Sequence, residues 1–287
     1  MWAQDFDKGL EAYNNGDYAT AIRELKPLAE QGKAGAQYYL SRMYWRGEGV
    51  IQDYAEAAKW LRKAADQGVA LAQYGLGWMY GNGYGVTQDD ATAVKWYRKA
   101  AEQGDIMAQN NLGAAYFDGR GVAQDHVEAA KWYRLAAKQG SAPSQHQLGI
   151  LYEQGFGVLQ DYDEAVKWYR LAAEQGLAEA QHNLAVMYLK SEGVTKNDAE
   201  AAKWFRNAAE QGLPVAQGNL ALMYGNGQGV LQDMIAAHMW FNIAAANGHK
   251  EAAKGRDIAA GELSSSDIVK AQQKAKRCMA SGYKDCN

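Results

Sequence analysis

The sequence has only three prolines and two cysteines in 287 residues, and it has no long apolar run. Few prolines leave helices uninterrupted, and 31 glycines favour short turns between them. No apolar stretch reaches the roughly 20 residues that a membrane-spanning helix needs. The formal net charge of −3 lacks the basic excess typical of nucleic-acid-binding proteins. The composition therefore predicts a helical protein with no membrane span and no nucleic-acid partner.

An export signal is also missing, since the N-terminal sequence MWAQD has no basic segment followed by an apolar one. Both cysteines, Cys278 and Cys286, lie in the last ten residues. With Gly282 between them for a turn, they either close a short disulfide loop or are unrelated thiols of a frayed terminus. We interpret them as a disulfide, which implies an oxidising compartment. The protein is therefore predicted to be periplasmic or secreted, with Met1 in place of a removed signal.

A 36-residue period runs through most of the sequence without insertion or deletion. A small residue followed by glutamine recurs, with leucine four residues later and tyrosine four residues after that. The small residues are Ala36, Ala72, Ala108, Ser144, Ala180 and Ala216; the leucines are Leu40, Leu76, Leu112, Leu148, Leu184 and Leu220; the tyrosines are Tyr44, Tyr80, Tyr116, Tyr152, Tyr188 and Tyr224. A Gly-x-Gly-Val turn follows in every copy except the fifth, where Ser191 replaces the first glycine.

Each copy predicts two antiparallel helices. Ala36, Leu40 and Tyr44 lie on one stripe of the first helix, and the Gly-x-Gly turn ends it. Asp53 begins the second helix because its carboxylate accepts amide hydrogens of the first turn, and Glu56 completes a capping-box pattern. The second helices end at Gly68, Gly104, Gly140, Gly176, Gly212 and Gly248. One hairpin cannot bury its own apolar face, so we expect stability to come from stacking.

Six full copies span residues 33–248, and different sequences flank them. Residues 1–32 predict a shorter helical hairpin that lacks the Gly-x-Gly loop. Residues 249–287 lose the repeat signature and become rich in lysine, glutamine and alanine. We expect this segment to be a helical cap over the last apolar face, because solenoids need polar ends. Its final helix is predicted to begin at Ser266 or Asp267, and the disulfide would hold its end.

The repeat consensus, AQxxLGxMYxxGxGVxQDxxxAxKWYRxAAxQG, resembles the Sel1-like repeat, and residues 74–104 carry it nearly intact. The hairpin of residues 1–32 is similar to the related tetratricopeptide repeat. The resemblance implies an all-α protein, a right-handed α/α superhelical solenoid of antiparallel helix pairs. It also implies an adaptor or scaffold without a cofactor. Bacterial members of the family are often exported, in line with the cysteine argument.

Positions that differ between copies are free to specialise, because invariant positions build the scaffold. In related solenoids the first helices line the concave surface, and the tetratricopeptide offsets place a candidate partner-binding strip there. The strip contains Tyr38, Arg42, Trp45, Arg46, Tyr74, Trp78, Asn110, Phe117, His146, Ile150 and His182, with Glu153, Val186 and Lys190 beside them. Tyr, Trp and Arg dominate binding hot spots. The strip therefore predicts a surface for a peptide segment with acidic and apolar side chains, although Tyr38 and Trp45 can instead pack on the preceding hairpin.

Two features of the repeats have a simpler structural interpretation. A tryptophan present in every copy is a packing residue rather than a binding track, because it never varies. These residues are Trp60, Trp96, Trp132, Trp168, Trp204 and Trp240. His146 and His182 occupy equivalent positions, but a metal ion needs further ligands that converge on it, and no third His or Cys repeats nearby. No metal site is expected.

A β-lactam- or peptidoglycan-acting enzyme and a glycan-binding module remain as alternative functions. The sequence SGYK at residues 281–284 matches the Ser-x-x-Lys motif of penicillin-recognising enzymes, but the two further signatures of those enzymes are absent. The Gly-x-Gly turns are not phosphate loops, since no strand precedes them and no Lys-Ser/Thr follows. The aromatic residues of the strip would also suit a sugar. The leading prediction is a non-enzymatic scaffold that binds a protein or peptide.

Overall fold

The computed structural model describes residues 5–286, which form sixteen α-helices and no strand. They fall into two compact units, of which the first ends at Gln139 and the second begins at Gly140. The first unit contains Phe6–Asn14 (α1), Tyr18–Glu30 (α2), Ala34–Arg46 (α3), Tyr54–Asp66 (α4), Ala70–Asn82 (α5), Asp90–Glu102 (α6), Ile106–Asp118 (α7) and His126–Lys138 (α8). The second contains Ala142–Gln154 (α9), Tyr162–Glu174 (α10), Ala178–Lys190 (α11), Asp198–Ala209 (α12), Pro214–Asn226 (α13), Met234–Ala246 (α14), Ala252–Gly261 (α15) and Ser265–Ala280 (α16). Met1, interpreted above as replacing a signal, lies outside the described residues.

The predicted N-caps of the second helices are present, but only one of the two reciprocal hydrogen bonds of the predicted capping box forms. The Asp53 carboxylate accepts from the backbone N–H groups of Ala55 and Glu56 at 2.9 and 3.0 Å. Glu56 does not reach back to the N–H of Asp53; it accepts from Lys59 Nζ at 2.9 Å. The Asp53 N–H donates instead to the carbonyl oxygen of Tyr44 at 3.0 Å. This bond joins the end of the first helix to the start of the second, so it closes the loop between them.

The second glycine of the Gly-x-Gly loop lies close to the preceding repeat, and the second copy shows this clearly. Gly85 has φ +65°, and a Cβ built there would lie 2.0 Å from the carbonyl oxygen of Tyr54. The first glycine caps its helix in the left-handed region. Ser191, which replaces that glycine in the fifth copy, adopts the same conformation at φ +60°. The loop therefore keeps its shape there without the glycine.

The core of each unit is built where small residues of the first helices meet large residues of the second. A Cβ at Gly77 would lie 2.8 Å from the Tyr97 ring, so only glycine permits this approach. In the second unit, Gly149 lies under the fully buried Tyr169. The repeated tryptophans are packing residues as well: Trp60 belongs to the buried cluster of α1, α2 and α3, and Trp96 to that of α4 and α5. Trp60, Trp96, Trp132 and Trp240 are buried, and Trp168 and Trp204 are half-buried.

The glutamine of the recurring Ala-Gln pair has a role that the sequence pattern does not reveal. Gln73 is buried, and its Nε2 donates to the carbonyl oxygen of Ala65 at 3.1 Å. Its Oε1 accepts from Gln103 Nε2 at 2.7 Å. The same bond between amide side chains recurs along both units, for example from Gln175 to Gln145. We refer to it as the glutamine ladder, and it satisfies polar groups that stacking buries.

The C-terminal segment ends the second unit. The last helix begins earlier than predicted, at Ser265 rather than at Ser266 or Asp267, because the Ser264 hydroxyl caps it by accepting from the Asp267 N–H at 3.2 Å. Cys278 and Cys286 form a disulfide, and both are buried. None of the helices within residues 5–286 combines the length and apolarity that crossing a membrane requires.

Candidate partner-binding surface

The predicted strip residues all lie on the first helices of the repeats, and none of them is sealed in the core. Helix α3 carries Tyr38, Arg42, Trp45 and Arg46; α5 carries Tyr74 and Trp78; α7 carries Asn110 and Phe117; α9 carries His146 and Ile150; and α11 carries His182. Arg46 is exposed and the other ten are half-buried. Such partial burial holds a side chain in place while leaving one side of it open to a ligand.

Five of these residues line one open groove in the first unit. Tyr38, Arg42 and Trp45 form one wall, and Tyr74 and Trp78 form the other. Leu61 and Met79, both buried, lie at the bottom, and Leu71 lies exposed at the rim. The cavity volume is about 360 Å³. We call this feature the α3–α5 groove.

The groove exists because two side chains are smaller here than in the other copies. Leu61 occupies the position that holds an aromatic residue in the five later repeats: Tyr97, Tyr133, Tyr169, Phe205 and Phe241. Gly75 occupies a position that elsewhere holds Tyr39, Asn111, Gln147, Asn183 or Asn219. Both Leu61 and Gly75 line the groove. The open volume therefore lies where the larger side chains of the other copies would stand. Sequence reasoning missed both residues.

An aromatic cluster stands beside the groove. The indole rings of Trp45 and Trp78 lie 5.4 Å apart edge to face, and Tyr84 stacks on Trp78 at 5.1 Å with an interplanar angle of 9°. Tyr54 packs on Trp45 at 4.6 Å. These geometries are favourable for aromatic pairs. The cluster fixes the two tryptophans, and Tyr54 and Tyr84 were absent from the predicted strip.

The two arginines of α3 differ in their surroundings. The Arg42 guanidinium lies over the rings of Tyr13, Tyr38 and Tyr39 at 5.4, 5.9 and 5.9 Å, in cation–π contact. Within residues 5–286 it makes no hydrogen bond and no ion pair. Arg46 pairs with Glu48 at 3.4 Å. Arg42 therefore brings an uncompensated positive charge to the groove, whereas the charge of Arg46 is already compensated.

The remaining strip residues of the first unit do not line the groove. The Phe117 ring stacks on His126 at 5.1 Å, and Asn110 Nδ2 lies 3.5 Å from Asn111 Oδ1. A second, smaller cavity of about 190 Å³ lies further along and includes Tyr97 in its lining. Burial raises the pKa of Tyr97 to about 12, so its hydroxyl is neutral at physiological pH.

In the second unit the two strip histidines belong to a polar chain. Asn183 Nδ2 donates to His146 Nε2 at 3.1 Å, and His182 Nδ1 donates to Asn183 Oδ1 at 3.1 Å. Asn219 Nδ2 donates to His182 Nε2 at 3.1 Å. These directions require the neutral Nδ1–H tautomer of His182. No group of three or more His, Cys, Asp or Glu that could hold a metal ion occurs among the described residues.

We expect the second unit to lose stability as the pH falls below about 6.5. Burial lowers the pKa of His146 and of His182 below the ordinary 6.5, so the unfolded chain binds protons before the folded chain does. Stability is therefore complete above that pH and decreases towards the lower folded pKa. The variant His146→Asn/His182→Asn should show a shallower slope in thermal unfolding followed by circular dichroism from pH 8 to pH 5. The slope should not vanish, because burial also lowers the pKa of His238. Identical slopes would contradict the prediction.

Comparison with known proteins agrees with the repeat pattern. Six stretches match the Sel1 repeat family: residues 34–69, 70–105, 106–141, 142–177, 178–213 and 214–249. The crystal structure of a Sel1 repeat protein from Oxalobacter formigenes is 34% identical with a TM-score of 0.75, covering 85% of this chain and 97% of its own. That of c5321, a protective antigen of uropathogenic Escherichia coli with an SLR fold, is 29% identical with a TM-score of 0.43, covering 97% and 77%. No curated protein matches. With the helices described above, the family match and the Oxalobacter formigenes structure confirm the predicted fold class, an all-α solenoid of antiparallel helix pairs.

Proposed function

We propose, from the premise that this chain belongs to the Sel1 repeat family, that it is a non-enzymatic scaffold that captures a segment of a partner protein on its first helices. Sel1 repeat proteins generally mediate protein–protein interaction. The observation that carries the proposal is the α3–α5 groove. It is open, it is lined by five of the residues that the sequence selects as variable, and its aromatic and arginine side chains are those of binding hot spots.

The proposal includes export to the periplasm or the cell exterior. Its support is the disulfide between Cys278 and Cys286. Structural disulfides persist in oxidising compartments and are rare in the reducing cytosol of most cells. Protein recovered from its native compartment should therefore show no titratable thiol under denaturing conditions. Two free thiols would count against export.

The proposal also divides the chain into three parts: an N-terminal hairpin of residues 1–32, six repeats over residues 33–248, and a C-terminal cap of residues 249–287. The end parts cover apolar faces that the terminal repeats would otherwise expose to water. In support, the Tyr283 hydroxyl is hydrogen-bonded to the side chain of Asn247 in the last repeat, at 2.8 and 3.0 Å. Recognition is then left to the repeats between the two ends.

Crosslinking pull-down from the cell envelope of the source organism tests the proposed function. The wild-type chain should retain a protein partner, and Arg42→Glu/Arg46→Glu should reduce retention about tenfold or more, since loss of a charged hot spot typically weakens binding by this much. Lys26→Glu/Lys95→Glu is the matched control, because it makes the same charge change on the exposed faces of second helices. Equal retention by both variants would place the site elsewhere.

Two further measurements separate the alternative functions. Retention on a glycan column that disappears in Trp45→Ala/Trp78→Ala, without any protein partner, would favour a glycan-binding module. Hydrolysis of a chromogenic β-lactam or of labelled peptidoglycan would favour an enzyme. If the protein is a scaffold, we expect neither tryptophan-dependent retention on the glycan column nor hydrolysis of these substrates. Helicity measured by circular dichroism should be unchanged in each variant, so that loss of binding is not loss of fold.

A further inference from the structure

We infer that the α3–α5 groove binds a segment in which a bulky apolar side chain stands next to a carboxylate. The inference rests on the proposed function and adds the chemistry of the partner. It is drawn from three properties of the described residues: the apolar lining of the groove, the single charge within that lining, and the local departures from the repeat that create both.

The apolar part of the ligand follows from the lining. Leu61, Leu71, Trp78 and Met79 surround the open volume with hydrocarbon and aromatic surface. Trp78 cannot easily turn into the space, because Tyr84 stacks on it at 5.1 Å and Trp45 holds its edge at 5.4 Å. A preformed apolar cavity with fixed walls favours a large apolar side chain that displaces its water.

The carboxylate follows from Arg42. Of the described residues that line the groove, Arg42 carries the charge and none is acidic. The three tyrosine rings beneath the guanidinium hold its position without satisfying its N–H donors, since ring faces offer no lone pair in the guanidinium plane. A partner carboxylate can accept two of these donors in parallel.

Arg42 also selects against other ligands. An apolar segment without an acid would cover the guanidinium and remove its water, which leaves buried donors unsatisfied and weakens binding. A basic segment would be repelled. Covering the groove makes the local environment less polar, so the preference for a carboxylate grows on binding.

Three departures from the repeat coincide at this groove. By the 36-residue offset, Arg42 occupies a position that holds Trp78, Ala114, Ile150, Val186 or Leu222 in later copies. Leu61 and Gly75 are the departures that open the space. The scaffold is otherwise the same in each repeat, so this groove differs from the other repeats in shape and in charge together.

A library of random twelve-residue peptides displayed on phage and selected on the full chain tests the inference. Enriched peptides should carry Trp, Phe, Leu or Met within about two residues of Asp or Glu. For the best synthetic peptide, replacing the carboxylate by its amide should weaken the affinity about tenfold or more, and Arg42→Gln should do the same. Enrichment without an acid, no enrichment at all, or equal affinity of the acid and amide peptides would overturn the inference.

A groove-filling variant tests the site independently of charge. Gly75→Asn inserts the side chain that the repeat itself carries at Asn111, and the new Cβ would lie 3.1 Å from the flexible end of Leu61. We expect unchanged helicity and melting temperature with about tenfold weaker peptide binding. Gly225→Asn is the matched control, since it adds the same side chain to a first helix with contacts of 3.7 Å or more. Equal peptide affinity of Gly75→Asn and Gly225→Asn would overturn the inference.

The inference and the proposed function fail in distinguishable ways. A partner that the wild-type chain captures and that Arg42→Glu/Arg46→Glu releases, but that Arg42→Gln retains fully, overturns the carboxylate preference and leaves the scaffold in place. Absence of any captured partner together with absence of selected peptides overturns both. Retention of the captured partner that falls in Arg42→Gln and in Gly75→Asn, but not in Gly225→Asn, supports both.

Discussion

Gly85→Ala should destabilise the first unit by at least about 2 kcal/mol more than Gly104→Ala, which makes the same chemical change at another left-handed position. Both glycines have positive φ, +65° and +93°, so each alanine carries a conformational cost of about 1–2 kcal/mol. A Cβ at Gly104 meets nothing within 4 Å, whereas a Cβ at Gly85 would lie 2.0 Å from the Tyr54 carbonyl oxygen. Backbone atoms cannot rotate away as a side chain does. The loop would therefore have to move off the preceding repeat.

Urea unfolding followed by tryptophan fluorescence measures this difference, because Trp45 and Trp78 lie near the displaced loop. The unfolding midpoint should fall far more for Gly85→Ala than for Gly104→Ala. Equal midpoints for the two variants would show that the loop relaxes freely, and the close approach between repeats would then contribute nothing to stability.

Removing the disulfide should destabilise the end of the second unit by about 2–3 kcal/mol. The two cysteines are eight residues apart in sequence, so the crosslink removes a modest amount of entropy from the unfolded chain. Cys278→Ser/Cys286→Ser should also release Tyr283 from Asn247, because the loop that presents the tyrosine is no longer closed. Amide hydrogen exchange of the C-terminal helix should accelerate in the double variant.

Two further measurements separate the effect of the disulfide from that of the hydrogen bond between Tyr283 and Asn247. Tyr283→Phe keeps the disulfide and removes only the hydroxyl, so we expect a loss of about 1 kcal/mol. Wild-type protein in reducing agent should behave like the double serine variant. If the reducing agent left the unfolding midpoint of the wild type unchanged, the crosslink would have no role in stability.

The sequence was sufficient for the fold because the same signals recur at one period. Gly68 and its equivalents adopt the left-handed conformation, and Asp53 caps its helix. The capping box failed at Glu56 because the N–H that it should satisfy is already bound to Tyr44. That bond depends on the path of the intervening loop, which a local motif does not specify.

The candidate site could be predicted from the sequence only in part. Five strip residues meet in one groove, but their binding role stays a prediction. Leu61 and Gly75 are each smaller than their equivalents in later copies, but a missing side chain indicates a groove only where the two positions face each other, and that contact between neighbouring repeats follows from the stacking. Tyr54 begins the second helix of the same copy as Trp45, so their contact arises within one hairpin. Tyr84 lies in the loop of the next copy, so its contact with Trp45 follows from stacking between repeats. Asn183 and Asn219 were missed for the same reason, because they join neighbouring first helices.

The glutamine ladder has a consequence for how the C-terminal segment is attached to the repeats. Its last rung uses Asn247, one methylene shorter than the glutamine found at the same position in the other copies, and the Tyr283 hydroxyl bonds to that amide. The Tyr283 ring also occupies the space above Gly212, where a Cβ would meet it at 3.0 Å, whereas Gly176 is open. The equivalent spaces at Gly68, Gly104 and Gly140 are open as well, so this contact is one that the repeats themselves do not make. The amide of Asn247 is thus shared between the sixth repeat and the C-terminal loop, so the disulfide that closes this loop also holds the tyrosine at the last rung.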